Sequence, residues 1–371
     1  MAPALPNPDD GTTATTTDAA TSLLPINQGP RVIVYHQTHH GPNDGPPVSL
    51  LPLLTHATGV THVIVAAIHL NDPPGSITLN DHPPNHARFQ TLWAETAWLQ
   101  AAGVKILGML GGAAQGSYAR LAGDTASFES HYVPLRDMIR AHRLDGLDLD
   151  IEEPTTLACA YRLIDRLRAD MGPDFLITLA PVASALLSGK QPQLSGPDFD
   201  YFELERERGA QIAWYNAQFY CGWGDATSTR WYDAIVQGAG WPARKVVMGL
   251  VTNPGNGAGH VDWSVLEGIL RTLRVRYPEF GGVMGWEYFN SLPGDLARPW
   301  EWAAQMAATL RTVVPLPPPL LPPAPPQPPV AFPPENIQTL VDLGFNEQQA
   351  VAALRMTGGN VEYAAGLLFQ D

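Results

Sequence analysis

Acidic and apolar residues alternate strictly along one short segment of the chain, from Asp148 to Glu152. Successive side chains of a β-strand point to opposite faces, so Asp148, Asp150 and Glu152 should share one face, spaced roughly 6–7 Å per two residues. The other face would carry apolar side chains covered by helices: Leu147, Leu149 and Ile151. Because like charges in a row destabilise one another, one carboxyl group should keep its proton near neutral pH. Such a row is typical of catalytic acid–base groups rather than of a solvated edge.

Eight short apolar runs recur between Arg31 and Arg311, and helical patterns lie between them. This alternation is typical of βα units, and eight such units predict a (β/α)8 barrel. The predicted strands are Val32–Tyr35, His62–Ala67, Lys105–Leu110, Gly146–Glu152, Phe175–Ala180, Ile212–Tyr220, Val246–Val251 and Gly282–Trp286. The predicted helices include Arg88–Ala102, Ser127–His142, Thr156–Met171, Trp263–Tyr277 and Pro299–Arg311. The alternative, a doubly wound open sheet, would need a glycine-rich phosphate turn, and the stretch from Gly111 to Gly116 lacks the dinucleotide-binding spacing.

The composition suits a large buried core and argues against several partners. Among the 371 residues, 45% are hydrophobic, and the net charge of −14 makes nucleic acids and anionic membranes poor partners. No apolar run approaches transmembrane length, and the first residues lack the basic and apolar regions of a secretory signal. The two cysteines, Cys159 and Cys221, suggest no disulfide framework. We therefore expect a cytoplasmic protein, with unconventional secretion as the open alternative.

Composition divides the chain into four segments. Residues 1–29, rich in Thr, Ala, Pro and Asp, are predicted to be a disordered leader, and residues 30–313 form the predicted barrel domain. Residues 314–334 are mostly proline, which favours an extended polyproline II spacer, although such a run can also be a ligand for an aromatic groove. Residues 335–371 contain three short amphipathic segments and predict a small helical domain.

The acidic segment, written as Asp145-Gly146-x-Asp148-x-Asp150-x-Glu152, resembles the active-site signature of glycoside hydrolase family 18. The resemblance implies a retaining O-glycosyl hydrolase that cleaves β-1,4 bonds between N-acetylglucosamine residues on a (β/α)8 barrel, with no cofactor and no metal. In this family the nucleophile is the substrate's own acetamido group. Glu152 would then be the acid and base, Asp150 would hold the acetamido N–H, and Asp148 would share a proton with Asp150.

Other strand ends match site residues of the same family. Tyr220, at the end of the sixth predicted strand, matches a tyrosine that contacts the acetamido group, and Trp286, ending the eighth, matches the tryptophan under the scissile sugar. The other expected substrate-binding residues are Gln218, Asn216, Tyr35 and Gly111.

A few residues near these strand ends depart from the family or allow another interpretation. Met109 stands where many members have serine, and Cys221 stands where relatives often have a polar residue. His36, His39 and His40 could in principle bind zinc, but their spacing is irregular and the implied hydrolysis needs no metal. We interpret these histidines as loop or subsite residues.

Two substrate classes remain open: chitin or chitooligosaccharides, and the di-N-acetylchitobiose core of N-glycans. Runs at residues 176–186, 214–221 and 282–294 resemble fungal endo-β-N-acetylglucosaminidases, which favours the N-glycan core. A lectin-like binding protein that has lost turnover is a third alternative. Relatives of that kind lose the last glutamate of the signature, and Glu152 is present here.

The last segment resembles a ubiquitin-associated (UBA) domain. The matching residues are Leu343-Gly344-Phe345, Ala350, Ala353-Leu354, Gly358-Gly359-Asn360-Val361-Glu362, Ala364 and Leu367-Leu368. Members of that family usually have methionine where Leu343 stands. The resemblance implies ubiquitin as a partner, bound through apolar atoms of the first loop and the last helix: Leu343, Gly344, Phe345, Leu367 and Leu368. The alternative is a small helical bundle with no affinity for ubiquitin.

Overall fold

A computed structural model describes residues 29–189, 191–311 and 332–369 of the chain. The chain divides into two compact units, with the division in the proline-rich stretch at residue 314. The predicted leader at 1–29, apart from Gly29, and nearly all of the predicted linker at 314–334 lie outside the described residues. The segment boundaries therefore stay predictions, except that the first helix of the second unit already begins at Pro334.

The first unit is a closed barrel of eight parallel strands, as the sequence predicts. The described strands are β1 (Arg31–His36), β2 (His62–Asn71), β3 (Ser76–Leu79), β4 (Lys105–Gly111), β5 (Gly146–Asp150), β6 (Leu176–Leu179), β7 (Trp214–Gln218), β8 (Val246–Val251) and β9 (Gly282–Trp286). β1 pairs with both β2 and β9, which closes the barrel. β3 is antiparallel to β2 and extends it as a hairpin beyond the barrel wall.

Helices follow most of the strands and cover the outside of the barrel. Those of the first unit are α1 (Pro52–Thr55), α2 (Gln90–Ala101), α3 (Ser117–Leu121), α4 (Thr125–Ala141), α5 (Leu157–Met171), α6 (Tyr201–Arg208), α7 (Arg230–Asp233), α8 (Trp263–Arg276) and α9 (Trp300–Arg311). The side chains of Asp124 and Thr156 cap the starts of α4 and α5. The five predicted helices agree with α2, α4, α5, α8 and α9 to within about two residues, an ordinary uncertainty for helix ends.

Strand alternation separates an outer core from an inner one. Leu147, Leu149 and Ile151 pack in the outer core between the strands and the helices, as predicted. The inner core contains Met109 and Trp214 among its buried residues. Acidic side chains on the inner face of β5 therefore point into the barrel. The carboxyl end of β5 lies at the same end of the barrel as those of the other parallel strands.

Several strand bounds differ from the predicted ones, and β2 runs on to Asn71. β5 ends at Asp150, so Glu152 lies in the turn after the strand rather than in it. β7 ends at Gln218, so Tyr220 also follows its strand. The hairpin formed by β2 and β3 was not predicted, because its polar turn interrupts the apolar pattern before β3 begins.

The described part of the second unit, residues 332–369, contains three helices: α10 (Pro334–Asp342), α11 (Glu347–Met356) and α12 (Val361–Leu368). Asn346 and Gln349 form a reciprocal capping box at the start of α11, and Asn360 caps α12. The unit has its own small core of buried side chains: Leu340, Ala350, Ala353, Leu354 and Ala364.

Candidate active site

The three predicted carboxylates lie together at the carboxyl end of β5. Asp148 is completely buried, Asp150 is 6% exposed, and Glu152 is half-buried at the mouth of the barrel. Asp150 and Glu152 line a cavity of about 450 Å³, together with Gln218, Tyr220 and Trp286. The structure thus brings acid, amide, phenol and indole groups from three strands around one space large enough for a sugar.

Asp148 is held by three donors beneath this cavity. Tyr35 Oη donates to Asp148 Oδ2 at 2.7 Å, while Thr178 Oγ1 and Asn216 Nδ2 donate to Oδ1 at 2.5 and 3.0 Å. Burial raises the pKa of Asp148, and the three hydrogen bonds oppose that rise. Within the described residues no hydrogen bond joins Asp148 to Asp150. The expected sharing of a proton between the two carboxyl groups stays a prediction.

Tyr35 and Asn216 do not line the cavity, although the sequence places them among the substrate-binding residues. Their exposed fractions are 1% and 0%, and their polar atoms are engaged with Asp148. Asn216 also accepts a hydrogen bond from the Trp214 indole at 2.9 Å. Both residues therefore hold Asp148 in the layer beneath the cavity.

Asp150 and Glu152 are linked through one amide. Gln218 Nε2 lies 3.2 Å from Glu152 Oε1, 3.4 Å from Asp150 Oδ1 and 2.9 Å from the carbonyl oxygen of Ala180. Burial, followed by the negative charges of Glu152 and Asp148, raises the pKa of Asp150 well above its usual range. Ionisation of Asp150 is therefore opposed by its surroundings, as expected for one member of an acidic row.

Two aromatic side chains form walls of the cavity. Tyr220 is 7% exposed, and burial together with Asp150 and Glu152 raises its pKa well above 10, so its hydroxyl remains a donor. The Trp286 ring is half-buried and meets the Tyr35 ring edge-on at a centroid distance of 5.7 Å. Trp286, at the end of β9, thus places an aromatic ring on the side of the cavity opposite β5.

Gly111 lines the cavity and also makes the turn after β4 possible. Its φ is 97°, and a Cβ atom there would lie 2.4 Å from the Asp150 carbonyl oxygen and 2.7 Å from the Tyr118 ring. Only glycine allows this backbone to approach the end of β5 so closely. Met109 and Cys221, the two departures from the family pattern, also line the cavity.

Two contributors to the site were missed by the sequence reasoning. Thr178 is paired in register with Asp148 on the neighbouring strand, a relation that strand alternation could have indicated. Glu287 is 7% exposed and accepts hydrogen bonds from the backbone N–H groups of Gln37 and Thr38 at 3.1 and 2.8 Å. Glu287 thereby fixes the loop after β1 next to Trp286. Because this contact joins residues about 249 positions apart in the sequence, no local pattern reveals it.

His36, the last residue of β1, and His39, in the loop after it, form a buried pair outside the catalytic cavity, and His40 beside them is half-buried. The His36 and His39 rings meet edge-on at 4.7 Å, and His39 Nε2 lies 2.9 Å from the Ala66 carbonyl oxygen. Burial lowers the pKa of His39 to about 4 and that of His36 well below 6.5. Within the described residues no group of three potential ligands could hold a metal ion.

A second and larger cavity, of about 980 Å³, adjoins the first. The two share Gln37, His69 and Ala114 as lining residues. The larger cavity lies between the loop after β1 and the β2–β3 hairpin, and polar side chains dominate its lining. Its polar residues include Asn71, Asn80, Asp81, His82 and Arg88.

The sequence profile of the glycosyl hydrolases family 18 matches residues 31–260, more than half of the chain. The chain belongs to that family. A chitinase, ChiC, from Aspergillus fumigatus is 57% identical and aligns with 76% of this chain and 99% of its own, with a TM-score of 0.69. A fungal endo-β-N-acetylglucosaminidase of family 18 is 49% identical over 77% of this chain and 99% of its own, with a TM-score of 0.72. The predicted glycosyl hydrolase is confirmed, and these two similar structures are a chitinase and an endo-β-N-acetylglucosaminidase.

The second unit also has known relatives. Residues 332–368 match the UBA/TS-N domain, which confirms the predicted UBA domain. DNA damage-inducible protein 1 from Chaetomium globosum is 63% identical over 41 residues, and that of Kluyveromyces lactis is 58% identical over 40 residues. These matches cover only about a tenth of each curated relative. Across the described ranges, none of the helices is both long and apolar enough to cross a bilayer.

Proposed function

We propose that the barrel hydrolyses the β-1,4 bond between two N-acetylglucosamine residues with retention of configuration, by substrate-assisted catalysis. Glu152 protonates the glycosidic oxygen as the bond breaks, and the carbonyl oxygen of the substrate's acetamido group attacks the anomeric carbon. The resulting oxazolinium ring is opened by water, from which Glu152 removes a proton. The supporting observation is the position of Glu152 at the cavity mouth, 3.2 Å from the amide that also contacts Asp150.

The acetamido group needs partners on both sides, and the cavity offers them. Asp150 accepts a hydrogen bond from the acetamido N–H, and the Tyr220 hydroxyl donates one to the acetamido oxygen. Asp148 acts through Asp150 as a buried negative group, positioned by Tyr35, Thr178 and Asn216. Trp286 packs under the sugar ring and excludes water from the developing positive charge.

We infer that the preferred substrate is the chitobiose core of N-glycans, which makes the protein an endo-β-N-acetylglucosaminidase. This inference is supported by the 980 Å³ cavity beside the catalytic one, which can receive a bulky, hydroxyl-rich branch. Phe89, the one aromatic side chain other than histidine among its described lining residues, is 1% exposed. A linear chitin chain has no branch that would fill this wide polar cavity. The second candidate is a chitinase, favoured by the 57% identity with the Aspergillus fumigatus enzyme.

A parallel digestion of a high-mannose glycoprotein and of chitooligosaccharides tests this assignment. We expect glycan release that leaves one N-acetylglucosamine on the glycoprotein, with a kcat/KM at least about tenfold above that for chitotetraose, a difference of about 1.4 kcal/mol in transition-state binding. Mass spectrometry of the glycoprotein measures the remnant. Cleavage of chitooligosaccharides alone would make the protein a chitinase, and binding without cleavage of either would favour the lectin-like alternative.

We further propose that the UBA domain binds ubiquitin. Leu343 is 48% exposed in the loop after α10, and Leu367 is 38% exposed on α12. Phe345 stacks edge-on against Phe369 at 5.1 Å next to this loop. Leu368 contributes less than the sequence predicts, because it packs against the small core of the unit. Leu343, Gly344, Phe345 and Leu367 thus remain available as an apolar contact surface.

Ubiquitin binding is expected to be weak and to depend on Leu343. Titration of the full chain into ¹⁵N-labelled ubiquitin should shift ubiquitin resonances, and Leu343→Asp should weaken binding about tenfold or more, because it puts a charge in an apolar contact. Arg355→Gln, on the exposed side of α11, is the matched control and should bind like wild type. Unchanged ubiquitin spectra at about millimolar concentration, an affinity near the weak limit of specific recognition, contradict the assignment.

Together these proposals describe a cytoplasmic endoglycosidase that trims glycans from ubiquitin-marked glycoproteins. A weak ubiquitin contact in the same chain raises the local concentration of a ubiquitylated glycoprotein near the active site. The expected signature is faster release of glycans from a ubiquitylated glycoprotein than from the same glycoprotein without ubiquitin, a difference that Leu343→Asp abolishes.

A further inference from the structure

A third cavity, of about 570 Å³, lies at the end of the barrel opposite the catalytic site. Its lining includes the first residues of several strands: Arg31, His62, Lys105, Leu176 and Trp214. Because parallel strands all begin at one end of the barrel, this cavity has no contact with the carboxylates after β5. The proposed hydrolysis does not use it.

Cationic side chains are concentrated around this cavity. Arg31, Lys105, Arg244 and Arg274 line it, against one lining carboxylate, Glu279. The chain as a whole has 22 Lys and Arg residues against 36 Asp and Glu residues, so this local excess runs against a net charge of −14. Such a reversal of sign marks a place where an anion is attracted rather than repelled.

Arg31 and Arg274 have no carboxylate partner within the described residues. Arg31 donates to the backbone oxygens of Arg244 and Gly281 at 2.9 and 3.1 Å, and its guanidinium carbon lies 4.4 Å from the Trp214 ring centroid. Arg274 donates to the backbone oxygens of Leu310 and Pro278, both at 3.0 Å. Burial lowers the pKa of Arg31 to about 10 and also lowers the pKa of Arg274. Arg31 and Arg274 are half-buried, and a bound anion would supply the counter-charge that both lack.

The other two cations are only partly compensated. Lys105 Nζ lies 3.1 Å from an Asp145 carboxylate oxygen. Arg244 lies 4.0 Å from Glu279, at the limit of an ion pair, and the side chains of Arg244 and Glu279 are both largely exposed. Burial, followed by the positive charges of Arg31 and Lys105, lowers the pKa of the His62 imidazole to about 3. His62 therefore stays neutral, and the positive field at this end of the barrel comes from the arginines and the lysine.

We propose that this cavity binds a small polyvalent oxyanion of the phosphate class, held by Arg31, Arg244 and Arg274 with Lys105 at the edge. Guanidinium groups present parallel N–H donors that match phosphate oxygens, and three of them suit an anion with more than one charge. The cavity volume fits a small molecule rather than a folded partner. The site is independent of the proposed hydrolysis and of ubiquitin binding.

Isothermal titration of the full chain with inorganic pyrophosphate at pH 7 tests the proposal. We expect saturable binding at one site with a dissociation constant of about 0.1–1 mM, and a weaker constant when NaCl is raised from about 20 to about 200 mM, because salt screens partly exposed charges. Inorganic phosphate, with fewer charges, should bind more weakly than pyrophosphate. An absence of saturable binding at about 10 mM pyrophosphate and low salt, well above the expected constant, overturns the proposal.

Variants locate the site. Arg274→Gln and Arg244→Gln should each weaken pyrophosphate binding about tenfold, since each removes a charge-assisted hydrogen bond. Arg206→Gln removes the same charge from an exposed position on α6, where Arg206 pairs with Glu207, and should leave binding unchanged. Equal loss in all three variants, or no loss in the first two, would show that pyrophosphate responds to net charge or to another surface, and either result overturns the proposal.

Discussion

Glu152→Gln is expected to lower kcat for the cleaved glycan about 10³-fold, within the range that a positioned general acid contributes. Glutamine fills the same space and keeps an oxygen 3.2 Å from Gln218, but it has no proton to give to the glycosidic oxygen. Substrate binding should change little, because Asp150, Tyr220 and Trp286 still line the cavity. The variant should therefore lose kcat with KM nearly unchanged, measured as initial rates of glycan release.

A matched control separates this chemical loss from a general effect of losing a carboxylate. Glu267→Gln changes an exposed glutamate on α8 that pairs with Arg271, and it should keep wild-type rates. Glu153, next in sequence, is not suitable as a control, because its carboxylate holds the backbone N–H groups of Gly116 and Tyr118 at 2.9 and 2.8 Å. Retention of more than about a tenth of wild-type kcat by Glu152→Gln would contradict the assignment of Glu152 as the acid.

The barrel and the centre of its site follow from patterns that are local in sequence. Alternation along residues 146–152 places Asp148 and Asp150 on the inner face of β5, and the apolar partners Leu147 and Leu149 on the outer face. The same rule applies to each parallel strand, and Gln218, expected among the substrate-binding residues, lies 3.4 Å from Asp150 and 3.2 Å from Glu152. Period-two alternation specifies a face but not a depth.

The layer of the barrel in which a side chain lies depends on the register between neighbouring strands. Alternation along one strand does not reveal that register. Tyr35 and Asn216 share the inner face with the acids but end one layer below the cavity, where they hold Asp148. Contacts between distant chain segments were also missed: Glu287 with the loop at Thr38, and Arg31 with Arg244, which lie 249 and 213 residues apart. Such contacts arise only when the barrel closes, so no window of the sequence contains them.

Asp150→Asn is expected to lower kcat about 10²-fold and, at alkaline pH, to raise the melting temperature. The loss of activity follows because an amide cannot release a proton, so it cannot develop the negative charge that stabilises the oxazolinium ring as that ring forms. The gain in stability has a different cause. Asp150 is buried beside Glu152 and Asp148, which raises its pKa, so ionising it in the folded state is unfavourable. Asparagine resembles the protonated acid and never acquires that charge.

The pH dependence distinguishes this cause from ordinary repacking. Between an unfolded pKa of about 3.9 and the raised folded pKa, the folded protein binds more protons than the unfolded chain, so wild-type stability falls as pH rises through that window. Asp148 and Glu287, whose pKa values are also raised by burial, remain in both proteins, and their contributions largely cancel in the difference. The melting temperatures should nearly coincide at about pH 4, and the variant should melt about 2–4 °C higher at about pH 8. Differential scanning calorimetry at both pH values measures this, and a difference that is constant or shrinks with rising pH would mean that Asp150 is ionised in the folded enzyme throughout.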